Sequence, residues 1–139
     1  MFKIKRMTMM SPEFKMAYIK LGEQPMKVET HMKYRQIGTQ IEKHLTESAE
    51  LQLKLLDQLA LKNEKGEIEK ELDESGAAIG YKWINQDHAN GKFKDFSLAE
   101  LEVDGVHPFF VYELSDAKMS SKEWTALTEL MGDPSNLPA

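Results

Sequence analysis

The stretch THMKYRQIGTQIEKHLTESAELQLKLLDQLALK, residues 30–62, decides the fold of this chain. Its apolar residues recur every three or four positions, which is the spacing of one face of an α-helix. The members of this first face are Tyr34, Ile37, Ile41, Leu45, Ala49, Leu53, Leu56 and Ala60. A second apolar face begins at Leu51 and continues through Leu55 and Leu59. The sequence therefore predicts one long helix whose first half needs one covering surface and whose second half needs two.

A helix that is apolar around much of its circumference is usually buried. The long helix is therefore predicted to contact protein on both sides. The predicted partner-binding residues are Tyr34, Ile37, Ile41, Leu51, Leu55 and Leu59. Either residues 1–22 of the same chain cover the stripe at Tyr34, or another chain does. A homo-oligomer is one form that this contact would take.

The segment before the long helix is basic and rich in methionine over residues 1–25. Residues 1–10 alternate loosely between apolar and polar, with Phe2 and Ile4 on one side, and this indicates a strand. Ser11 and Pro12 then have the cap and first-turn chemistry of a helix start. Gly22 is predicted to end that helix in the left-handed conformation, which glycine adopts without steric cost.

The segment after the long helix is mixed. Lys62 to Gly66 has the composition of a helix terminator. Residues 67–75 suit either an exposed helical turn or a strand, residues 78–84 indicate a strand, and residues 85–91 indicate a polar loop. Asp104 and Gly105 predict the turn of a hairpin between residues 100 and 114. The spacing of Ser120 and Glu123 predicts a capping box at the start of a final helix, which Gly132 and Pro134 end.

These elements predict an α+β fold in which one long helix packs with a small antiparallel sheet and a C-terminal helix. A mainly α fold is the alternative, because residues 67–104 suit either class. We expect a single domain over residues 1–134 and a loose tail at 135–139. The expected core residues are Leu45, Leu53, Leu56, Ile79, Trp83, Val103, Phe109, Val111, Trp124 and Leu127.

Composition limits the classes of function. Residues 1–35 hold eight Lys and Arg against three acids, a net charge of +5, and the remaining residues hold ten against twenty, a net charge of −10. An acidic body disfavours nucleic acid as a ligand, because phosphates would be repelled. No apolar run is long enough to predict a membrane span. The chain has no cysteine, which excludes disulfides, thiolate metal sites and a cysteine nucleophile. Absence of cysteine also fits a cytoplasmic protein.

No pattern of catalytic, cofactor-binding or metal-binding residues emerges. The histidines, His31, His44, His88 and His107, are not spaced as metal ligands. The acidic run from Glu64 to Glu74 lacks the ligand spacing and central glycine of a calcium loop. It suits a solvated face, or a surface that docks on a basic partner. We therefore expect no enzyme activity and no cofactor or metal.

The order of the elements along the chain also resembles that of a known group of proteins. A Lys-rich β start, a helix carrying Lys33, Arg35 and Lys43, the segment from Ala49 to Glu67 and a closing helix around Trp124 together resemble the layout of small bacteriophage proteins without assigned activity. The resemblance implies a phage or prophage origin and action by protein–protein contact, as an assembly accessory or structural component. The alternative is an inhibitor of a host protein that uses its acidic surface. The expected location is the host cytoplasm or the virion.

Overall fold

A computed structural model describes residues 2–132, and the prediction of an α+β fold is confirmed. One long helix is accompanied by two small antiparallel sheets and a short C-terminal helix. The elements in chain order are β1 Phe2–Lys5, α1 Arg6–Met10, α2 Pro12–Gly22, α3 Val28–Leu59, β2 Lys70–Leu72, β3 Ala78–Tyr81, α4 Gln86–Leu98, β4 Glu100–Val103 and α5 Ser121–Ala126, with 3₁₀ turns at Val111–Leu114 and Thr128–Leu130. The predicted tail at 135–139 and the predicted stop at Pro134 lie outside the described residues.

Backbone contacts divide the chain into two compact units, where the sequence predicts one domain over 1–134. The terminal unit consists of residues 2–46 and 98–132, and the central unit consists of residues 47–97. Helix α3 contributes its first half to the terminal unit and its second half to the central unit. It ends at Leu59 rather than Lys62, because Ala60 and Lys62 form extended β-bridges with Trp83 and Ile68.

The sheet of the terminal unit joins the N-terminal strand to a strand about a hundred residues later in the sequence. Strand β1 pairs antiparallel with β4, so that Phe2 lies opposite Val103 and Ile4 opposite Leu101. The predicted strand at 1–10 is thus only four residues long, and Arg6–Met10 is helical.

The predicted hairpin at 100–114 is wrong. Gly105 does turn with positive φ, but Asp104 is held by α3 instead of by a second strand. The Asp104 N–H donates to Gln40 Oε1 and the Asp104 carbonyl accepts from Gln40 Nε2, each at 2.7 Å. Phe109 forms only a single parallel bridge, to Met131, before the 3₁₀ turn begins.

The core of the terminal unit is large for its length. It contains the predicted core residues Val103, Phe109 and Leu127, which are fully buried, while Leu45 and Trp124 pack against it half-buried. Its buried members are Ile4, Met9, Phe14, Ala17, Leu21, Ile37, Ile41, Val103, Phe109, Leu114, Leu127, Leu130 and Met131. Helix α5 begins with the predicted capping box, in which the Glu123 N–H donates to Ser120 Oγ at 3.2 Å. It ends at Ala126, well before Gly132, because a 3₁₀ turn follows.

Helices α2 and α3 meet through two tyrosine–glycine pairs of the same spacing, YIKLG at 18–22 and YRQIG at 34–38. The rings of Tyr18 and Tyr34 stack at 4.4 Å, and each hydroxyl donates to the backbone carbonyl of the other tyrosine. A Cβ at Gly22 would overlap the ring of Tyr34, and one at Gly38 would lie 3.0 Å from Tyr18 Oη. The left-handed stop predicted at Gly22 is wrong, since positive φ among described glycines occurs at Gly66, Gly76 and Gly105. Gly22 provides room for a ring.

The central unit is organised by two turns with the same chemistry. Asn63 Oδ1 accepts from the N–H groups of Lys65 and Glu67. Asp73 Oδ1 accepts from those of Ser75 and Ala77. In each turn the fourth residue, Gly66 or Gly76, has positive φ, as a type I turn followed by a left-handed glycine requires. These turns direct residues 67–72 back against 60–63 and then pair β2 with β3. Of the two alternatives for residues 67–75, the strand is present.

The polar loop predicted at 85–91 is also wrong, because helix α4 begins at Gln86. The His88 N–H donates to Asn85 Oδ1 at 2.9 Å, which caps the first turn. Ala89, Phe93 and Phe96 have helical spacing; Ala89 and Phe96 are buried and Phe93 is partly buried. This apolar face stabilises a helix whose first turn is polar throughout.

Candidate interaction surface

Two of the titratable side chains, those of His44 and Glu113, form hydrogen bonds that join α3 to other parts of the terminal unit. His44 Nε2–H donates to the Glu102 carbonyl at 2.7 Å, and His88 lies exposed in the first turn of α4. Glu113 accepts from Lys33 Nζ at 2.8 Å and from the Phe110 N–H at 2.9 Å, which ties the 3₁₀ turn to α3. Within residues 2–132, no three His, Asp or Glu side chains converge closely enough to hold a metal ion.

None of the helices between residues 2 and 132 has both the length and the apolar character that crossing a membrane requires.

The central unit exposes more large apolar side chains than it buries. Leu53 and Ile84 are each 67% exposed and Ile79 is 63% exposed. Its buried apolar residues are Leu59, Ala60, Ala89 and Phe96. The prediction that Leu53 and Ile79 are core residues is therefore wrong, because the short hairpin and α4 cover only part of the apolar circumference of α3. Exposed apolar side chains that form one patch indicate a contact surface.

Of these exposed side chains, Leu53 lines a groove of about 440 Å³. The residues that line it are Gln52, Leu53, Leu56, Tyr81, Trp83 and Phe93. The Trp83 ring lies 5.3 Å from the Phe93 ring and 6.0 Å from the Tyr81 ring, both in inclined arrangements. Such contacts hold aromatic rings in place, so the groove is formed before any partner arrives.

Each wall of the groove follows from local sequence periodicity. Along the strand that contains β3, Tyr81 and Trp83 are two residues apart and so share one face. On α3, Leu53 and Leu56 are three residues apart and face the same way. Phe93 comes from the apolar side of α4. We define Leu53, Leu56, Tyr81, Trp83 and Phe93 as the aromatic groove.

Six of the eleven acidic residues of the central unit lie in residues 64–74, at and before the hairpin that carries β3. Residues 64–74 hold six acids against two lysines, a net charge of −4. Hydrogen bonds from the Ser75 hydroxyl and then from the backbone N–H of Ala77 hold the pKa of Asp73 below its ordinary value. Along β2 the acids alternate with Ile68 and Lys70, and Lys70 lies opposite Tyr81. Because directly opposite residues of an antiparallel pair share a face, Lys70 lies on the same face as Tyr81, and Glu71 lies on the other face with Gly80.

The predicted partner-binding residues separate into two groups. Of the residues predicted to bind a partner, Ile37 and Ile41 are 0% and 5% exposed and belong to the core of the terminal unit. Tyr34 is half-buried in its stack with Tyr18, and Leu59 is buried in the central unit. Leu51 is exposed and Leu55 is partly exposed on the second apolar face of α3, and neither lines the groove.

The sequence reasoning missed the aromatic groove itself. Tyr81 and Trp83 lie in the stretch that it correctly identifies as strand-forming, but their hydrophobicity indicates a core position. The position of Phe93 in the groove was not predicted, because residues 85–91 have the composition of a polar loop. The helical spacing of Ala89, Phe93 and Phe96 is the signal that indicates it.

A second apolar surface lies in the terminal unit, on the solvent side of α2. Met16 is 73% exposed and Ile19 is 62% exposed, although Phe14, Ala17 and Leu21 on the other side are buried. Lys15, Ile19 and Arg35 line one groove of about 420 Å³ with Tyr18 at its floor. We define Lys15, Met16, Ile19 and Arg35 as the basic ridge.

Comparison of the chain with protein-family models, with curated protein sequences and with solved structures finds no match.

Proposed function

We propose that this chain is a non-enzymatic protein that acts by binding another protein through the aromatic groove. The observation that carries the proposal is the groove itself, a concave, mostly apolar surface whose residue Leu53 is 67% exposed. Aromatic side chains dominate the energetics of protein–protein contacts because they bury a large area at little cost in conformational entropy.

The size of the groove limits how much of a protein partner can enter it. A volume of about 440 Å³ accommodates a few large apolar side chains of a partner, not a folded domain. A short helix or strand that presents such side chains in a row fits this requirement.

The layout resemblance to small bacteriophage proteins supports a role as an assembly accessory or structural component. On this proposal the protein acts in the host cytoplasm or as part of a virion. No cofactor, nucleic acid or membrane takes part in it.

Site-specific photo-cross-linking tests the proposal. A photoreactive amino acid replaces Leu53 in one variant and Tyr112 in a matched control, in cells where the protein is naturally made. Tyr112 is 76% exposed but lies outside the groove. We expect discrete protein adducts from position 53 and few from position 112. Equal labelling from both positions, or no adduct from position 53, would refute a groove-specific function.

An inhibitor of a host protein is the second candidate. It is favoured by the concentration of six acids on the hairpin of the same unit as the groove. An inhibitor of this kind captures a basic host protein in a 1:1 complex that weakens steeply as salt rises. An assembly component would instead associate in larger complexes, so the stoichiometry of the cross-linked species distinguishes the two.

A further inference from the structure

The central unit buries few apolar side chains. Leu59 and Phe96 are its large ones, at 9% and 7% exposed, and the others, Ala60 and Ala89, are alanines that bury little area each. Every residue from 70 to 82 is exposed, so the side chains of both hairpin strands are largely in water. Burial of apolar area is the main term that offsets the entropy of ordering a chain, so this unit is weakly stabilised.

Three segments of the central unit close a ring of backbone hydrogen bonds. The Glu69 N–H donates to the Leu61 carbonyl at 2.9 Å, the Leu61 N–H to the Lys82 carbonyl at 2.8 Å, and the Lys82 N–H to the Glu69 carbonyl at 3.1 Å. All three bonds have water beside them, because Leu61 and Lys82 are exposed, and the net gain from each is therefore small. Each segment pairs with the other two, so the loss of one pairing weakens the remaining pairings and the ring opens as a whole.

The elements of the central unit are too short to be stable alone. Helix α4 has 13 residues with Gly91 in its interior, and residues 47–59 of α3 form a helical segment of similar length. Isolated helices of this length are marginal in water, and an interior glycine weakens them further. An isolated hairpin of two short strands is marginal as well. Each element therefore depends on the small cluster around Leu59 and Phe96.

We propose that the central unit opens as one cooperative unit while the terminal unit stays folded. Helix α3 then keeps its structure up to about residue 46, where the terminal unit ends, and loses it beyond that residue. The first part of α3 remains because Ile37 and Ile41 belong to the core of the terminal unit. Openings of this kind follow contiguous units of structure and need less free energy than global unfolding.

The opening switches the aromatic groove on and off. Leu53 and Leu56 come from α3, Phe93 comes from α4, and the other groove residues come from the strand between them, so the groove exists only in the closed form. A partner that binds the groove would stabilise the closed form by mass action. This consequence rests on the proposed function, whereas the opening itself does not.

Amide hydrogen exchange of the full chain at neutral pH, measured residue by residue by NMR, tests the inference. After correction for intrinsic rates, amides of residues 51–59 should exchange at least about a hundredfold faster than those of residues 37–45, although both groups lie inside one helix. Protected amides of α4 and of the hairpin should exchange with the same opening equilibrium as residues 51–59. Equal protection along α3, apart from its last turn, would overturn the proposal.

Fraying of the end of α3 gives a different result. It would produce a gradual fall in protection toward Leu59 and would leave α4 as well protected as the terminal unit. A gradient of this kind would also overturn the proposal, because a cooperative opening produces a step near residue 46 and one common value beyond it.

Two matched substitutions on α3 separate the units. Ile41→Val and Leu59→Val each delete one carbon from a buried side chain. Ile41→Val should speed exchange about fivefold in the terminal unit and leave the central unit unchanged, because Ile41 stays packed when the central unit opens. Leu59→Val should speed exchange in both units by the same factor, because it destabilises the closed form from which both openings start. If Ile41→Val also speeds exchange in the central unit, the chain unfolds as one unit and the proposal is wrong.

The exchange and cross-linking experiments fail independently. A step in protection without adducts from position 53 would support the opening and refute the proposed function. Adducts from position 53 without a step in protection would support the proposed function and refute the opening.

Discussion

The terminal and central units use similar apolar sequence in opposite ways. The terminal unit buries thirteen apolar residues in one cluster, whereas the central unit buries four and leaves Leu53, Ile79 and Ile84 mostly exposed. The difference follows from what each half of α3 receives as a cover. The first half receives a whole helix, α2, and the second half receives a three-residue strand, its partner strand and α4. Stability is therefore expected to reside in the terminal unit and binding in the central one.

The largest expected effect is on the free energy of unfolding, when a buried apolar residue of the terminal unit is compared with an exposed one of the central unit. Phe14→Ala should lower the free energy of unfolding by about 3–5 kcal/mol, because Phe14 is 2% exposed and its removal leaves a cavity. Leu53→Ala should change it by less than about 0.5 kcal/mol, because that side chain is largely in water already. Urea unfolding followed by circular dichroism measures both. Similar losses for the two variants would show that the central unit shares the core energetics of the terminal one.

A smaller effect is expected at the crossing of α2 and α3. Gly22→Ala should destabilise the terminal unit by about 1–3 kcal/mol, because the new methyl group overlaps the ring of Tyr34. Gly38→Ala should be closer to neutral, since its Cβ would lie 3.0 Å from Tyr18 Oη and the better helix propensity of alanine offsets the strain.

Tyr34→Phe sharpens this comparison, because it deletes the atom nearest to the new methyl group. Tyr34→Phe should lower the free energy of unfolding less in the Gly22→Ala variant than in the wild type. Thermal unfolding of the wild type, the two single variants and the double variant measures this coupling. Additive effects would mean that Gly22 is required for a reason other than room for Tyr34.

The smallest expected effect is a loss of stability of the terminal unit at alkaline pH, which is absent at neutral pH. Burial raises the pKa of Tyr18 well above its ordinary value, and burial together with nearby Glu23 raises the pKa of Tyr34. Because these pKa values are higher in the folded state, their stabilising contribution is complete below about pH 10, the pKa of an unfolded tyrosine, and is lost as pH rises further.

Tyrosinate absorbance during an alkaline titration checks this prediction. Tyr18 and Tyr34 should ionise late, together with loss of helical circular dichroism, and Tyr18→Phe should remove part of the pH dependence. Early ionisation of all tyrosines in a folded protein would contradict the buried stack.

Local chemistry made several elements predictable. The cap of Ser11 with Pro12 and the capping box of Ser120 with Glu123 are present, because they depend on residues within one turn of each other. The turns at 63–66 and 73–76 also follow from local chemistry. Both turns have Asn or Asp followed three residues later by Gly. The same residues at 63–66 also suit a helix end, and residues 67–75 suit either a helical turn or a strand, so the pattern alone does not select the turn.

The prediction of a hairpin at Asp104 and Gly105 is wrong for a different reason. The turn residues suit a hairpin, and Gly105 does have positive φ. The choice of strand partner is decided elsewhere, by Ile4 opposite Leu101 and by the two hydrogen bonds of Gln40 to Asp104. These partners are far away in sequence, so no local pattern contains them.

The sequence by itself determined the long helix, the main helix caps and the α+β class, because each depends on periodicity or on contacts within a turn. Only the tertiary structure decided that Ile37 and Ile41 are buried while Leu53 and Ile79 are exposed. Periodicity identifies which residues share an apolar face. It does not say which apolar face another element will cover, because that depends on segments that meet only when the chain folds.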